Sequence, residues 1–152
     1  MGETRWLDEQ EALVWRKYRD LKRELQAAQD RQLARDSGLS GADYALLAPL
    51  SEAPGSVLRA RDLGLEVGWE RSRLSHQVRR MEQRGLVARE ACEDDARGSM
   101  IRLTDAGRAA IVEAAPRHVD VVRKYFFDPL SKDEVKALGI LFDRILDTLA
   151  ED

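Results

Sequence analysis

The chain has 152 residues, 43% of them hydrophobic and 35% charged, enough for one domain with a sizeable core or two small modules sharing one. Its 25 lysines and arginines against 28 aspartates and glutamates leave a net charge of −3, which does not by itself suggest nucleic acid. The single cysteine, Cys92, excludes an intrachain disulfide, no apolar run approaches the ~20 residues of a membrane span, and MGETRW lacks the apolar core of a signal peptide, so a cytoplasmic protein is expected.

In chain order, residues 5–35 hold no proline or glycine and place Val14, Tyr18, Leu21 and Leu25 at 4-3-4 spacing, the seam of a long first helix. Ser40 and Asp43 have the spacing of a helix cap, opening a short helix through Tyr44, Leu46, Leu47 and Leu50 that Pro49 should bend or cost a hydrogen bond. EAPGS (52–56) reads as a loop, and a short helix near Ala60–Glu66 follows before the turn VGW. A helix over 70–84 stops at Gly85. LVAREAC (86–92) and SMIRL (99–103) then read as two strands joined by the polar loop EDDARG, a hairpin. Thr104 caps a helix reaching about Phe127, with a kink or break expected at Pro116. Ser131 and Glu134 form a capping box for a last helix whose Val135, Leu138, Leu141 or Phe142, Ile145 and Leu149 line one stripe.

The expected fold is mostly α with a small β-hairpin wing: a winged helix-turn-helix flanked by N- and C-terminal helices. The outer helices carry more apolar surface than that small module can cover, so their stripes are expected to meet a second subunit.

Charge is unevenly placed. From Arg59 to Arg108, eleven basic residues face nine acidic ones, and the basicity concentrates in ERSRLSHQVRRMEQRGLV (70–87). At 100° per residue, Leu74, Val78 and Met81 share one narrow arc, a buried stripe. The opposite arc holds Ser72, His76, Arg79, Arg80 and Gln83, with Arg73 and Ser75 on its flanks. Every outward group donates or accepts a hydrogen bond. Such a face suits the major groove of DNA, where arginine pairs with guanine, glutamine with adenine, and serine with base edges or phosphates. A charge run of this kind in isolation is more often a solvated helix face; the turn before it and the hairpin after it favour DNA.

SRLSHQVRRMEQRGLVARE (72–90), the wing DDARGSMIRLTDAGR (94–108) and FFDPLSKDEVKAL (126–138) resemble the MarR family of bacterial transcriptional regulators. The family wing reads D-x-R and then a strand ending L-T-x-x-G, here Asp95, Arg97, Leu103, Thr104 and Gly107. The resemblance implies a triangular homodimer with dimerisation helices at residues 1–37 and 109–152, around a winged helix-turn-helix at 38–108 with its wing at about 86–103. It implies DNA contacts from Ser72, Arg73, Ser75, His76, Gln77, Arg79 and Arg80, with Arg97 entering the adjacent minor groove or pairing with Asp94 or Asp95 to hold the turn. Arg84 lies too near the helix end to reach bases.

Many members bind small aromatic or phenolic effectors between dimerisation helices and DNA-binding lobe, which makes Trp15, Tyr18, Arg19 and Tyr44 candidates, with dimer packing as their alternative. The expected function is a sequence-specific regulator of a pseudo-palindromic operator, a repressor released by an effector; an activator, a ligand-independent regulator and a helical protein-interaction module without DNA binding are the alternatives. No histidine, cysteine and carboxylate cluster has metal spacing and no glycine-rich phosphate loop exists, so neither enzyme activity nor a cofactor or metal is expected. Cys92, in the predicted wing strand, is expected to be a packed residue.

Overall fold

The computed structural model describes residues 2–93 and 98–152. Its contacts divide the chain into two units: the residues up to Ala28 together with Val119–Asp152, and Gln29–His118. The divide falls inside two helices, α1 (Glu9–Asp36) and α5 (Asp105–Val122).

The second unit carries the core. The last turns of α1 supply Leu33, and α2 (Gly41–Glu52) supplies Leu46, Leu47 and Leu50, all essentially solvent-free. The cap expected at Ser40 is present, and as a reciprocal box: Asp43 N–H donates to Ser40 Oγ at 3.0 Å and Ser40 N–H to Asp43 Oδ2 at 2.9 Å. Pro49 lies within α2 without ending it, and its carbonyl accepts the Ala53 N–H that closes the helix.

A 3-10 turn at Pro54–Ser56 leads into β1 (Val57–Arg59), then α3 (Ala60–Val67), α4 (Arg71–Gln83), β2 (Val87–Ala91) and β3 (Ser99–Leu103). The wing is therefore a three-stranded antiparallel sheet of order β1-β3-β2, where the sequence reading had a hairpin alone. β1 pairs Leu58 with Ile101, a partner 43 positions along the chain, so no local pattern announces it. Ile101 and Leu103 point into the core and Arg102 outward, the period-2 alternation of a half-buried strand. On the outer face Arg102 Nε donates to Glu90 Oε1 at 2.6 Å and its Nη2 to Glu90 Oε2 at 3.2 Å, a cross-strand fork.

Of the kink or break expected at Pro116, the break does not occur: α5 continues through it to Val122 and leaves α geometry only in the π turn Arg123–Phe127. Pro116 is exposed, and so is Val112, whose carbonyl loses its partner there, so water can satisfy that oxygen.

The first unit is different. α1 starts at Glu9, later than the periodicity suggested, because Asp8 and Glu11 cap it reciprocally (3.0 and 2.7 Å). The closing α6 (Lys132–Ala150) opens on the expected Ser131–Glu134 box. Among the described residues of this unit none is buried: Trp15, Val119, Tyr125, Ile145, Leu146 and Leu149 are all at least half exposed.

Candidate nucleic-acid interface

α4 is positioned from both ends and from its middle. At its start, Gly68 adopts φ 69° and ends α3, and the Trp69 N–H donates to Gly64 O at 3.0 Å. A side chain at Gly64 would sit 3.3 Å from the Trp69 carbonyl and 3.4 Å from Leu74, so this glycine sets the close approach of α3 and α4. At its end, Gly85 adopts φ 73° and the Leu86 N–H closes back on Met81 O at 3.0 Å.

The sheet is locked to that end by the L-T-x-x-G segment. Thr104 Oγ1 donates to Gly85 O at 2.6 Å and accepts from Gly107 N–H at 3.0 Å, while Thr104 N–H donates to Leu86 O at 3.2 Å. A Cβ on Gly107 would lie 2.0 Å from Leu86 O, so only glycine fits.

The middle is held by Asp43. Its carboxylate is buried and accepts from Gln77 Nε2 at 2.7 Å, Arg84 Nη1 at 2.6 Å and Ser40 N–H. Burial pushes the Asp43 carboxyl up, but the Arg84 guanidinium and the Ser40 N–H more than offset this and hold it below the usual carboxylate range. One charge thus ties the start of α2 to the flank of α4. The sequence reading saw Asp43 only as a cap.

With α4 so fixed, Leu74, Val78 and Met81 are buried as expected, and Ser72, Arg73, His76, Arg79 and Arg80 are exposed on the other side. Ser75 is half-buried. Gln77 is a correction: it is 7% exposed, its amide is committed to Asp43, and it is not on the outward face. On the helix wheel it stands about 40° from Met81 and about 40° from Arg73, at the border of keel and outward face, so periodicity alone did not decide it. Arg84 is paired with Asp43. Arg97 lies outside the described residues.

Beside α4, an open groove of about 720 Å³ runs between α3, α4 and the sheet. Arg59, Arg61, Arg71 and Arg89 line it with Ser75 and Ser99 over an apolar floor, and no carboxylate is among its described lining residues. Outward arginines and this groove together form a cationic, donor-rich surface.

The other candidate residues fall in separate units. Trp15 and Tyr18 lie 5.4 Å apart, centroid to centroid, exposed on α1 with Arg19. Tyr44, in the second unit, stacks on His118 at 4.1 Å. Burial pushes the His118 imidazole down and the Tyr44 phenol up. Gln32 Oε1 and His118 Nδ1 are buried with no hydrogen-bond partner among the described residues, a feature that sequence could not announce. Cys92 is buried, as expected. Among the described residues no group of histidines, cysteines and carboxylates could hold a metal, and no helix is long and apolar enough to cross a membrane.

A helix-turn-helix whose second helix leads into an antiparallel sheet and back into a helix defines a winged-helix protein. Residues 37–98 match the family model described as MarR family. Sco3205, a MarR family transcriptional regulator from Streptomyces coelicolor whose crystal structure is a complex with DNA, is 42% identical over 98% of this chain and 93% of its own, with a TM-score of 0.91. AbsC, a MarR family regulator from the same organism, is 37% identical over 98% of this chain and 100% of its own, at 0.90. The PcaV transcriptional regulator of S. coelicolor, solved with its natural ligand, is 31% identical over 84% and 89%, at 0.70. The chain belongs to the MarR family of transcriptional regulators.

Proposed function

We propose that this chain is a sequence-specific DNA-binding regulator acting as a homodimer on a pseudo-palindromic operator, a repressor released by a small aromatic effector. The observation that carries the reading is the azimuth of α4: its apolar keel and Gln77 are turned inward, and Ser72, Arg73, His76, Arg79 and Arg80 are left facing solvent with Ser75 at their edge. In a major groove these groups would meet base edges and phosphates, and Arg97 would serve the minor groove. That Sco3205 was crystallised with DNA supports the same role here.

Dimerisation by residues 1–37 and 109–152 around a 38–108 reading module is supported by the coreless first unit. A face with Trp15, Ile145, Leu146 and Leu149 at least half exposed is larger than a solitary soluble subunit ordinarily leaves to water. A twofold pair would then read half-sites about 34 Å apart. For the effector, support comes from PcaV, solved with a natural ligand, and from the Tyr44–His118 stack. Gln32, whose Oε1 lacks a partner, is linked through Asp36 to Arg117, the neighbour of His118. A phenol could donate to one of those orphaned atoms. Release would require the effector to favour a dimer geometry that no longer fits the operator.

The test is a gel-shift series against salt. Neutralising six to ten phosphates would cost roughly a thousandfold or more in affinity between 50 and 200 mM salt. A flat response would instead identify a protein-interaction module.

A further inference from the structure

We propose that Trp69 is a positioning residue for DNA reading: its indole holds the Arg73 guanidinium in the pose that contacts one base pair, and so sets specificity there. This rests on the DNA-binding reading above.

Trp69 is a fixed platform. Its N–H is bonded to Gly64 O at 3.0 Å, and its ring is half-buried against the core cluster. It directly precedes Glu70, the N-cap of α4, so it occupies the position that staples to the fourth helical residue, here the buried Leu74. Arg73, the third helical residue, lies with its Cζ 4.1 Å from the centroid of the Trp69 ring.

The contact differs in kind from those of its neighbours. Arg84 and Arg89 point their donors at Asp43 and Glu82. Arg73 has no ion pair among the described residues, and its guanidinium carbon lies over the indole ring instead. We take the guanidinium to lie flat on the ring, which keeps its in-plane N–H donors open, and those are the groups that pair with guanine O6 and N7. A free arginine would lose much rotamer freedom on binding; one already laid on an indole loses less. The charge therefore reaches the groove already aimed and uncompensated.

Stacking of this kind changes an equilibrium by about two- to fivefold at exposed sites and by up to ~30-fold when water is excluded. The probe is a duplex enriched by the full-length wild-type protein from a randomised library, together with its single base-pair variants and a mixed-sequence duplex. Trp69→Leu is expected to weaken binding to the enriched duplex about fivefold and to flatten discrimination at the same base pair that Arg73→Ala flattens. The salt slope and mixed-sequence affinity should stay as in wild type. Trp69→Phe should restore part of the loss, and Trp69→Leu with Arg73→Ala should behave as Arg73→Ala alone.

Uniform loss across all base pairs, or additive effects in the double variant, overturns the proposal while leaving DNA binding intact. If the wild-type protein enriches no duplex, the DNA-binding reading itself falls and takes this one with it. Should Trp69→Leu not fold, NMR of the wild-type protein decides: Arg73 Hδ protons without an upfield ring-current shift would rule the stack out.

Discussion

Replacing Asp43 with alanine removes three acceptor contacts at once, and their costs differ. Gln77 is 7% exposed, so its amide would be stranded without water or partner, at about 1–3 kcal/mol. The Ser40 N–H loses half of a reciprocal cap, about 0.5–1 kcal/mol. The Arg84 side chain is 45% exposed and can turn to solvent, so its share is at most about 1 kcal/mol. Relief of the buried carboxylate's own desolvation offsets part of this, leaving about 3 kcal/mol, which for a chain of this size lowers Tm by roughly 6–12 °C. Urea and thermal unfolding at pH 7 would measure it, with Arg84→Ala beside it as the small effect. The dependence on pH has a definite sign. A carboxyl held below its unfolded value of ~3.9 contributes stability that is complete above that value and lost as pH falls through the folded one. The gap between wild type and Asp43→Asn should therefore be constant from pH 7 to about 5 and shrink below. An alanine variant melting within about 2 °C of wild type, or Arg84→Ala costing as much as Asp43→Ala, would refute the node.

Gly107→Ala should destabilise by about 3 kcal/mol, because its Cβ would sit 2.0 Å from Leu86 O and 2.7 Å from Leu103 Cδ1; urea unfolding reads this, and a stabilised variant would show that the turn relaxes freely. His118 is held neutral by burial, so stability should fall as pH drops from its unfolded value of ~6.5 towards the depressed folded one. His118→Phe, which can keep a ring against Tyr44, should flatten that limb in a pH series of melts. Gln77→Ala should lower the melting temperature while leaving discrimination among operator variants unchanged, the reverse of a base-contacting residue. Tm should rise with protein concentration, as expected for coupled folding and dimerisation, and sedimentation equilibrium should find a dimer; a concentration-independent Tm and a monomer would remove the dimer from the proposed function.

Much of the fold was legible because its signals are local. The Ser40 and Ser131 boxes, the Leu74–Val78–Met81 keel and the stop at Gly85 each depend on residues within one or two turns, and all stand where periodicity and cap spacing put them. What escaped depends on partners far along the chain. β1 exists because Val57–Arg59 finds β3, and Asp43 is more than a cap because Gln77 and Arg84 come to it across 34 and 41 positions. Gln77 is a different kind of miss. Its angle on the helix wheel left it between keel and outward face, and the resemblance to family readers put it on the DNA face. The helix does not break at Pro116, since the cost of a helix proline depends on whether the carbonyl it frees can reach water, which sequence alone does not tell.

The net charge of −3 and the cationic reading surface are reconciled by rigidity rather than by charge count. Phosphate attraction needs only nearby arginines, but discrimination between base pairs needs α4 to keep one azimuth, since a rotation of one residue's worth, 100°, would bring Arg79 into the place of Val78 and Val78 into that of Gln77. Three contacts with little slack resist that rotation: Gly64 against the Trp69 carbonyl at the start, Asp43 on Gln77 and Arg84 along the side, and Gly107 against Leu86 just past the end. One of them needs a glycine, one has a glycine at a tight approach and the third has a buried carboxylate, so none would show in a tally of basic residues. The acidic residue at the centre even lowers the net charge while holding the outward arginines in place. For this chain the informative electrostatic quantity is therefore where each charge is held, and Asp43 contributes to the polyanion-binding face although its own sign is wrong for it.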